Sequence, residues 1–238
     1  MKELKPFAKK KFNRLLRLLN HFPAGQEKEE LHQIRPEIKK IKALLRLVHF
    51  NDTDFGNHKY YIPFRTIFRE AGKIRDDGLR QELLDQYTAI HSPILQSSDQ
   101  VIAEFTSQIN RPIKVVRKKK KILLKKIALI KSHTFNLYLI KKNEELNDFL
   151  SDRFKQSDLH LLRKLIKEII YLTSVKKKKS KIDPFLTESD KLIGSWHDKQ
   201  VLIPWIRANI PKEKETINQL KSESNSDLQK LKKIIQDR

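Results

Sequence analysis

The chain contains no cysteine and only five glycines among its 238 residues. Without cysteine, disulfide bonds and thiolate metal sites are excluded, and cysteine usage gives no indication of the redox compartment. The scarcity of glycine, together with frequent leucine, isoleucine, lysine and glutamate, favours helices over sheets. No segment shows a sustained alternation of apolar and polar residues bounded by hairpin turns. The sequence therefore predicts an all-α fold.

Long apolar runs are also missing from the sequence. No stretch approaches the roughly 20 apolar residues that a membrane-spanning helix requires. Residues 1–12 carry charges but lack the apolar core of a secretory signal peptide. We therefore expect a soluble, cytoplasmic protein without a membrane span.

Acidic residues are few relative to basic ones. The chain has 51 Lys and Arg against 29 Asp and Glu, which gives a net charge of +22 at pH 7. Residues 1–110 have a net charge of +5, and residues 111–238 have a net charge of +17. A field this positive attracts polyanions from a distance. Nucleic acid, an anionic membrane surface and inorganic polyphosphate are therefore the candidate partners.

Helical periodicity covers most of the chain, with breaks predicted at 76–78, at 110–112 and, in the final polar segment, at 222–226. The last of these predicts a loosely held C-terminal tail. Pro36 disturbs the second helix, because proline lacks an amide hydrogen and crowds the preceding turn. That helix either begins near Arg35 or is kinked there.

One helical pattern occurs twice, 128 residues apart. It is Leu31-His32-x-x-Arg35-x-x-x-Lys39-x-x-Lys42 in the first copy and Leu159-His160-x-x-Arg163-x-x-x-Lys167 in the second. Spacings of three and four place such side chains on one side of a helix, opposite an apolar side. The first row is His32, Arg35, Lys39, Lys42 and Arg46; the second is His160, Arg163, Lys164, Lys167 and Tyr171.

The two halves of the chain correspond in a second respect. Arg75-Asp76 follows the first copy, and His197-Asp198 follows the second at a similar distance. We expect both aspartates to hold basic residues or to cap helix starts. Together with the repeated pattern, these pairs predict a duplicated helical bundle. We expect the two halves, 1–110 and 111–238, to form a single domain spanning 1–238.

These residues resemble the CHAD family, named for histidines in an α-helical domain. The resemblance covers almost the whole chain. It rests on His32-Arg35-Lys39-Lys40-Lys42, Arg75-Asp76, His160-Arg163-Lys164-Lys167-Tyr171 and the stretch from Leu192 to Asp198. The resemblance implies two four-helix bundles related by a pseudo-twofold axis. It also implies binding of inorganic polyphosphate by the basic rows, including Lys40 and Arg75, and an association with cytoplasmic polyphosphate granules.

Other interpretations of the same residues stay open. The rows could be solvated helix faces on which the cations form ion pairs with acidic side chains of the same helix. The charge also suits a nucleic-acid-binding protein that does not read base sequence, since no recognition motif is evident. A catalytic role, a cofactor and a metal site are not expected, because neither a carboxylate cluster for magnesium nor a glycine-rich phosphate loop occurs. Whether the lysine-rich runs Lys118 to Lys121 and Lys176 to Lys181 take part in binding stays open as well.

Overall fold

The computed structural model describes residues 2–21, 28–87, 98–151, 155–176 and 182–238. Regular structure in these ranges is helical and includes no strand, which confirms the all-α prediction. The α-helices are α1 Leu4–His21, α2 Lys28–Asn51, α3 Asn57–Tyr87, α4 Ser98–Ala128, α5 Ser132–Ser151, α6 Leu159–Thr173, α7 Pro184–Asn209 and α8 Lys214–Gln236. A single turn of 3₁₀ helix, Gln156–Asp158, precedes α6.

The chain divides into two compact units. Unit 1 comprises Met1–Glu82 with His91–Tyr138, and unit 2 comprises Leu83–Ile90 with Leu139–Arg238. Both boundaries that fall in described residues lie within helices, one in α3 and one in α5. The predicted join near residue 110 lies inside α4, so the compact units do not coincide with the halves 1–110 and 111–238.

The helices of unit 1 pack against one another through buried apolar side chains. Helix α1 packs against both α2 and α4, and the rings of Phe12 in α1 and Phe64 in α3 meet edge to face with centroids 6.0 Å apart. Away from the basic row, α2 is buried, as its periodicity predicts. Its buried side chains include Ile34, Ile38, Ile41, Leu45 and Val48.

Two predicted helix breaks are wrong, because α3 continues through 76–78 and α4 continues through 110–112. In α4 the buried side chains Ile109, Ile113 and Val116 keep helical spacing across Pro112. Packing of this apolar side outweighs the low helix propensity of one proline. Asp76 and Asp198 consequently lie inside helices, so neither of them caps a helix start.

Helix α2 also differs from one of its two predicted forms. It begins at Lys28 and includes Pro36, which is exposed. The alternative in which the helix begins near Arg35 is therefore wrong. Proline at this position leaves the carbonyl of His32 without its usual amide donor. Water can replace that donor most easily where the helix is exposed.

Unit 2 has its own apolar core, in which α6 and α7 supply most of the side chains. Its buried members include Leu162, Ile166, Ile169, Leu186 and Ile193. Helix α7 begins with a capped first turn: the Asp183 carboxylate accepts a 2.9 Å hydrogen bond from the Phe185 amide, and Pro184 stands in the first turn.

The predicted loose tail is also wrong, since α8 is one continuous helix packed on α7. Ser224, in the middle of the supposed interruption, is buried. The buried ammonium group of Lys199 in α7 donates to Asp227 at 2.8 Å and to Ser195 at 2.7 Å. Apolar packing and this buried ion pair hold the helix along its length. Within the described ranges, no helix has both the length and the apolar composition needed to cross a bilayer.

Candidate anion-binding site

The first basic row lies along one side of α2. Arg35, Lys39, Lys42 and Arg46 are each partly exposed, and the apolar residues between them are buried. The side chains of His32 and Arg75, which were predicted to join this row, lie outside the part of the chain that the structure describes. For the described members, the amphipathic arrangement predicted from the spacing is confirmed.

Lys40 is turned toward a buried carboxylate. Its ammonium group donates to Glu37 at 2.7 Å, and Glu37 is only 1% exposed. Lys11 and Arg14 of α1 approach the same carboxylate at 4.0 and 3.9 Å. Glu37 therefore lies on the buried side of α2. Lys40 helps to neutralise it at the contact between α1 and α2.

Arg35 packs against two residues of α3. Its guanidinium carbon lies 4.2 Å from the centre of the Phe68 ring, and the Lys39 ammonium lies 5.9 Å from the same ring. The guanidinium also fills the space beside Gly72, where a Cβ atom would overlap Nη1 and lie 3.2 Å from Cζ. An aromatic face attracts cations without neutralising their charge. The Phe68 ring therefore positions the two cations and leaves the net charge of the surface unchanged.

A pocket of about 350 Å³ continues the row at its C-terminal end. Of the described residues that line it, none is acidic. They are Lys42, Leu45 and Arg46 from α2, and His58, Tyr61 and Arg65 from α3. The Lys42 ammonium lies 4.6 Å from the centre of the Tyr61 ring. Two helices thus bring five polar side chains, three of them permanent cations, around one cavity.

Tyr61 contributes a hydrogen-bond donor to this pocket. Burial raises the pKa of its hydroxyl above the ordinary value, against the opposite influence of the neighbouring arginines. The hydroxyl therefore keeps its proton at neutral pH. A protonated phenol can donate to an anion that enters the pocket.

The sequence reasoning missed the three residues from α3. His58, Tyr61 and Arg65 are spaced by three and four, which is the same rule that identified the row on α2. Applying that rule to α3 would have placed them on one side of a helix. Which side faces α2 does not follow from the spacing.

In unit 2, Arg163 and Lys167 share one carboxylate. Arg163 Nε lies 3.1 Å from Oδ1 of Asp190, and Lys167 Nζ lies 2.6 Å from Oδ2. All three side chains keep about a fifth of their surface exposed. Sequence reasoning missed Asp190, which stands on the next helix. This carboxylate offsets half of the charge that the two cations would present.

The two units repeat the same contact with one difference. Arg163 lies against Gly194 of α7, where a Cβ atom would come within 2.6 Å of its guanidinium, just as Arg35 lies against Gly72. Each glycine precedes by four residues the aspartate of a repeated pair, Asp76 or Asp198. The residue four positions before the glycine is Phe68 in unit 1 but Asp190 in unit 2. At this position the second copy therefore has a carboxylate where the first has an aromatic ring.

Three other predicted residues of unit 2 are spread along α6. His160 is exposed, and its ring centroid lies 6.0 Å from that of His197 in α7. Lys164 is exposed, and Tyr171 is partly buried two turns beyond Arg163. The structure thus brings His160 close to the repeated His197-Asp198 pair. It leaves Tyr171 farther along the helix.

Grouping the residues by compact unit changes the distribution of charge. Unit 1 contains 29 basic and 13 acidic residues, a net charge of +16, and unit 2 contains 22 and 16, a net charge of +6. Most of the positive charge of residues 111–238 therefore lies in unit 1, which also carries the first row. Much of it comes from the lysine-rich part of α4.

The lysine-rich run in α4 is divided between structural and exposed residues. Arg117 donates to Asn20 at 2.8 Å, Lys120 donates to Asn13, and Lys119 lies over the Tyr60 ring at 4.9 Å. Lys118 and Lys121 are exposed. Of the run Lys176 to Lys181, only Lys176 falls within the described residues.

Comparisons with protein-family models, with curated proteins and with solved structures find no match to this chain. Among the described residues, no three histidine, aspartate or glutamate side chains come together as a group that could hold a metal ion. The residues themselves are therefore the basis for any functional conclusion.

Proposed function

We propose that this protein binds inorganic polyphosphate without catalysing a reaction on it, mainly through the surface that α2 and α3 form in unit 1. The observation that carries the proposal is the continuity of positive charge. The row from Arg35 to Arg46 leads into a pocket whose described lining contains no acidic residue. At the rise of an α-helix, this row is about 16 Å long. A row of that length can contact several successive phosphates of one chain.

The binding would consist of charge-assisted hydrogen bonds to phosphate oxygens. Each is worth about 1.5–3 kcal/mol before the costs of ordering and desolvation are subtracted. Release of counterions from a dense polyanion adds a gain that falls as salt rises, by analogy with nucleic acid. Cations repeated along a helix suit a chain in which one anionic group repeats. Contacts of these cations to phosphate carry no information about a base sequence.

Unit 2 would contribute a weaker second site. Arg163, Lys167 and the exposed Lys164 are available there, but Asp190 offsets part of their charge. The resemblance to the CHAD family supports contributions from both copies. Its further implications, two pseudo-twofold-related four-helix bundles and an association with cytoplasmic polyphosphate granules, stay predictions.

Isothermal titration with long-chain polyphosphate at about 0.15 M salt tests the proposal. We expect saturable binding whose affinity falls steeply as the salt concentration rises. The absence of binding under these conditions would refute the proposal. Release of phosphate by the purified protein would contradict its non-catalytic part.

Charge reversal distinguishes a site from a diffuse field. Arg35→Glu combined with Lys39→Glu should weaken binding by more than tenfold. Lys230→Glu combined with Lys232→Glu makes the same change in net charge at exposed positions of α8 and should have a much smaller effect. Equal effects of the two pairs would mean that net charge alone attracts the polyanion. Circular dichroism verifies that each variant is folded.

Nucleic acid is the alternative partner for the same surface. Competition of RNA and of duplex DNA against bound polyphosphate separates the two possibilities. We expect polyphosphate to displace both nucleic acids at lower phosphate concentration. The reverse order would favour the alternative.

A further inference from the structure

The pocket in unit 1 gathers its cations around one point, whereas the preceding row spreads them along a helix. Lys42, Arg46 and Arg65 surround a cavity of about 350 Å³, with His58 and the Tyr61 hydroxyl beside them. We propose that this pocket holds the terminal phosphate of a polyphosphate chain, so that the protein recognises a chain end as well as the chain. The inference rests on the proposed function.

The charge of a terminal phosphate explains the fit. An internal phosphate of the chain has one ionisable oxygen, whereas a terminal phosphate has a second one that titrates near pH 6, as in a phosphomonoester. The chain end is therefore the most highly charged group of the polymer at neutral pH. Three permanent cations and an imidazole around one cavity match it better than they match an internal phosphate.

The size and lining of the pocket also suit a small anion. A volume of about 350 Å³ is at the low end of the roughly 300–1,000 Å³ range of ligand pockets. The buried side chain of Leu45, which is 2% exposed, is the apolar member of the lining. Apolar atoms beside the anion lower the local dielectric, which strengthens its attraction to the cations.

The second copy of the pattern lacks the residues that build the pocket. With the repeated arginine and glycine aligned, Lys42 corresponds to Ile170, Arg46 to Ser174 and Arg65 to Thr187. The two copies agree at the arginine and the following lysine but differ at the pocket. A role common to both copies would not account for cations found in only one of them.

End-blocked polyphosphate provides the test. Chains of one defined length, with their termini either free or blocked as phosphoramidates, are titrated against the whole protein by calorimetry. We expect free-ended chains to bind roughly tenfold more tightly, which is about the effect of one charge-assisted hydrogen bond. Arg65→Gln should abolish this preference, because it should weaken the binding of free-ended chains about tenfold more than the binding of blocked chains. His58→Gln, at an exposed position, is a second variant with the same expectation.

A matched control lies one helical turn away. Arg69→Gln removes the same charge from α3 at a position that is 72% exposed and outside the pocket lining. This variant should keep the preference for free ends. If it loses the preference as Arg65→Gln does, the pocket is not the cause and the inference is overturned.

The remaining outcomes separate this inference from the proposed function. Equal binding of blocked and free-ended chains would overturn chain-end recognition and leave polyphosphate binding intact. Failure of both chains to bind would overturn the proposed function itself. Inorganic phosphate and pyrophosphate are added as competitors. Complete displacement of the chain by phosphate at micromolar concentration would show that the pocket is a site for the free ion and would contradict the inference.

Discussion

The guanidinium group of Arg35 occupies the space beside Gly72 that any larger side chain at that position would fill. The same relationship joins Arg163 to Gly194 in the other compact unit. In each case a helical residue without a side chain determines where the neighbouring cation can lie. An uncharged residue therefore controls the geometry of the charged row.

Gly72→Ala tests this control without changing any charge. The added methyl group should push the Arg35 guanidinium away from its place beside α3, which the flexible end of an arginine allows. Polyphosphate affinity should fall by roughly tenfold, the equivalent of one charge-assisted hydrogen bond. The midpoint of thermal unfolding should stay the same or rise, because alanine favours a helix over glycine by about 1 kcal/mol.

Gly56→Ala is the matched control for that substitution. A Cβ atom at Gly56 would lie 3.8 Å from the Cβ of Lys59, which is an ordinary contact, and would meet no guanidinium group. Its polyphosphate affinity should equal that of the unmodified protein. Wild-type affinity of both variants would show that the exact position of Arg35 does not matter for binding.

Asp190→Asn should strengthen polyphosphate binding. The substitution removes the carboxylate that Arg163 and Lys167 share and makes both cations available to the anion. The salt dependence of the affinity should become steeper, since more charge takes part. Stability should fall by about 1 kcal/mol or less, because the pairs are partly exposed. Titration calorimetry at several salt concentrations measures the first two effects, and thermal unfolding measures the third.

Glu188→Gln separates the local effect from net charge. It also removes one negative charge from α7, but Glu188 is exposed and lies outside the Asp190 cluster. We expect at most a small gain in affinity for this variant. A gain as large as that of Asp190→Asn would mean that only the total charge of the protein matters.

Periodicity was enough to predict both amphipathic helices and the side on which their cations lie. It works for α2 and α6 because burial of one apolar side makes the helical period visible in the sequence. Asp190 and Arg65 could not be predicted in the same way. Both residues lie on a helix that neighbours the one carrying the basic row. The rotation of one helix against another depends on packing contacts, which the spacing within either helix does not specify.

The wrong predictions have a related physical cause. Pro112 and the segment 76–78 contain residues that disfavour helices locally, and each was expected to end one. The helices continue there because local propensity costs a few kcal/mol at most, whereas a continuous apolar side gains more by burial. The buried positions Ile109, Ile113 and Val116 were visible in the sequence. Their helical spacing on both sides of Pro112 favours one continuous helix over a break at the proline.

Phe68→Asp should give the first copy a carboxylate at the position that Asp190 has in the second copy. The new carboxylate would stand near Arg35 and Lys39, whose cationic groups lie within 6 Å of the Phe68 ring centre. Polyphosphate affinity should fall several-fold and its salt dependence should become shallower. Phe68→Leu removes the ring without adding charge and should change the affinity much less. Similar losses for the two variants would indicate that the ring itself, not the charge, is what matters.

Glu70 should make the stability of unit 1 sensitive to acid. Its buried carboxylate accepts hydrogen bonds from Lys73 at 2.8 Å and Arg69 at 2.9 Å, and these bonds lower its pKa. A carboxyl group whose pKa is lower in the folded protein contributes stability above its unfolded pKa, near about 4.3, and loses it as the pH falls. Glu70→Gln should therefore lower the free energy of unfolding by about 1 kcal/mol at pH 7 and by almost nothing near pH 3. The loss at pH 7 is small because both partners are partly exposed. Urea unfolding at the two pH values measures the difference, with the exposed Glu82→Gln as the control that should show no cost at either pH. A cost for Glu70→Gln that is equal at both pH values would mean that the hydrogen bonds of Glu70 do not depend on its charge.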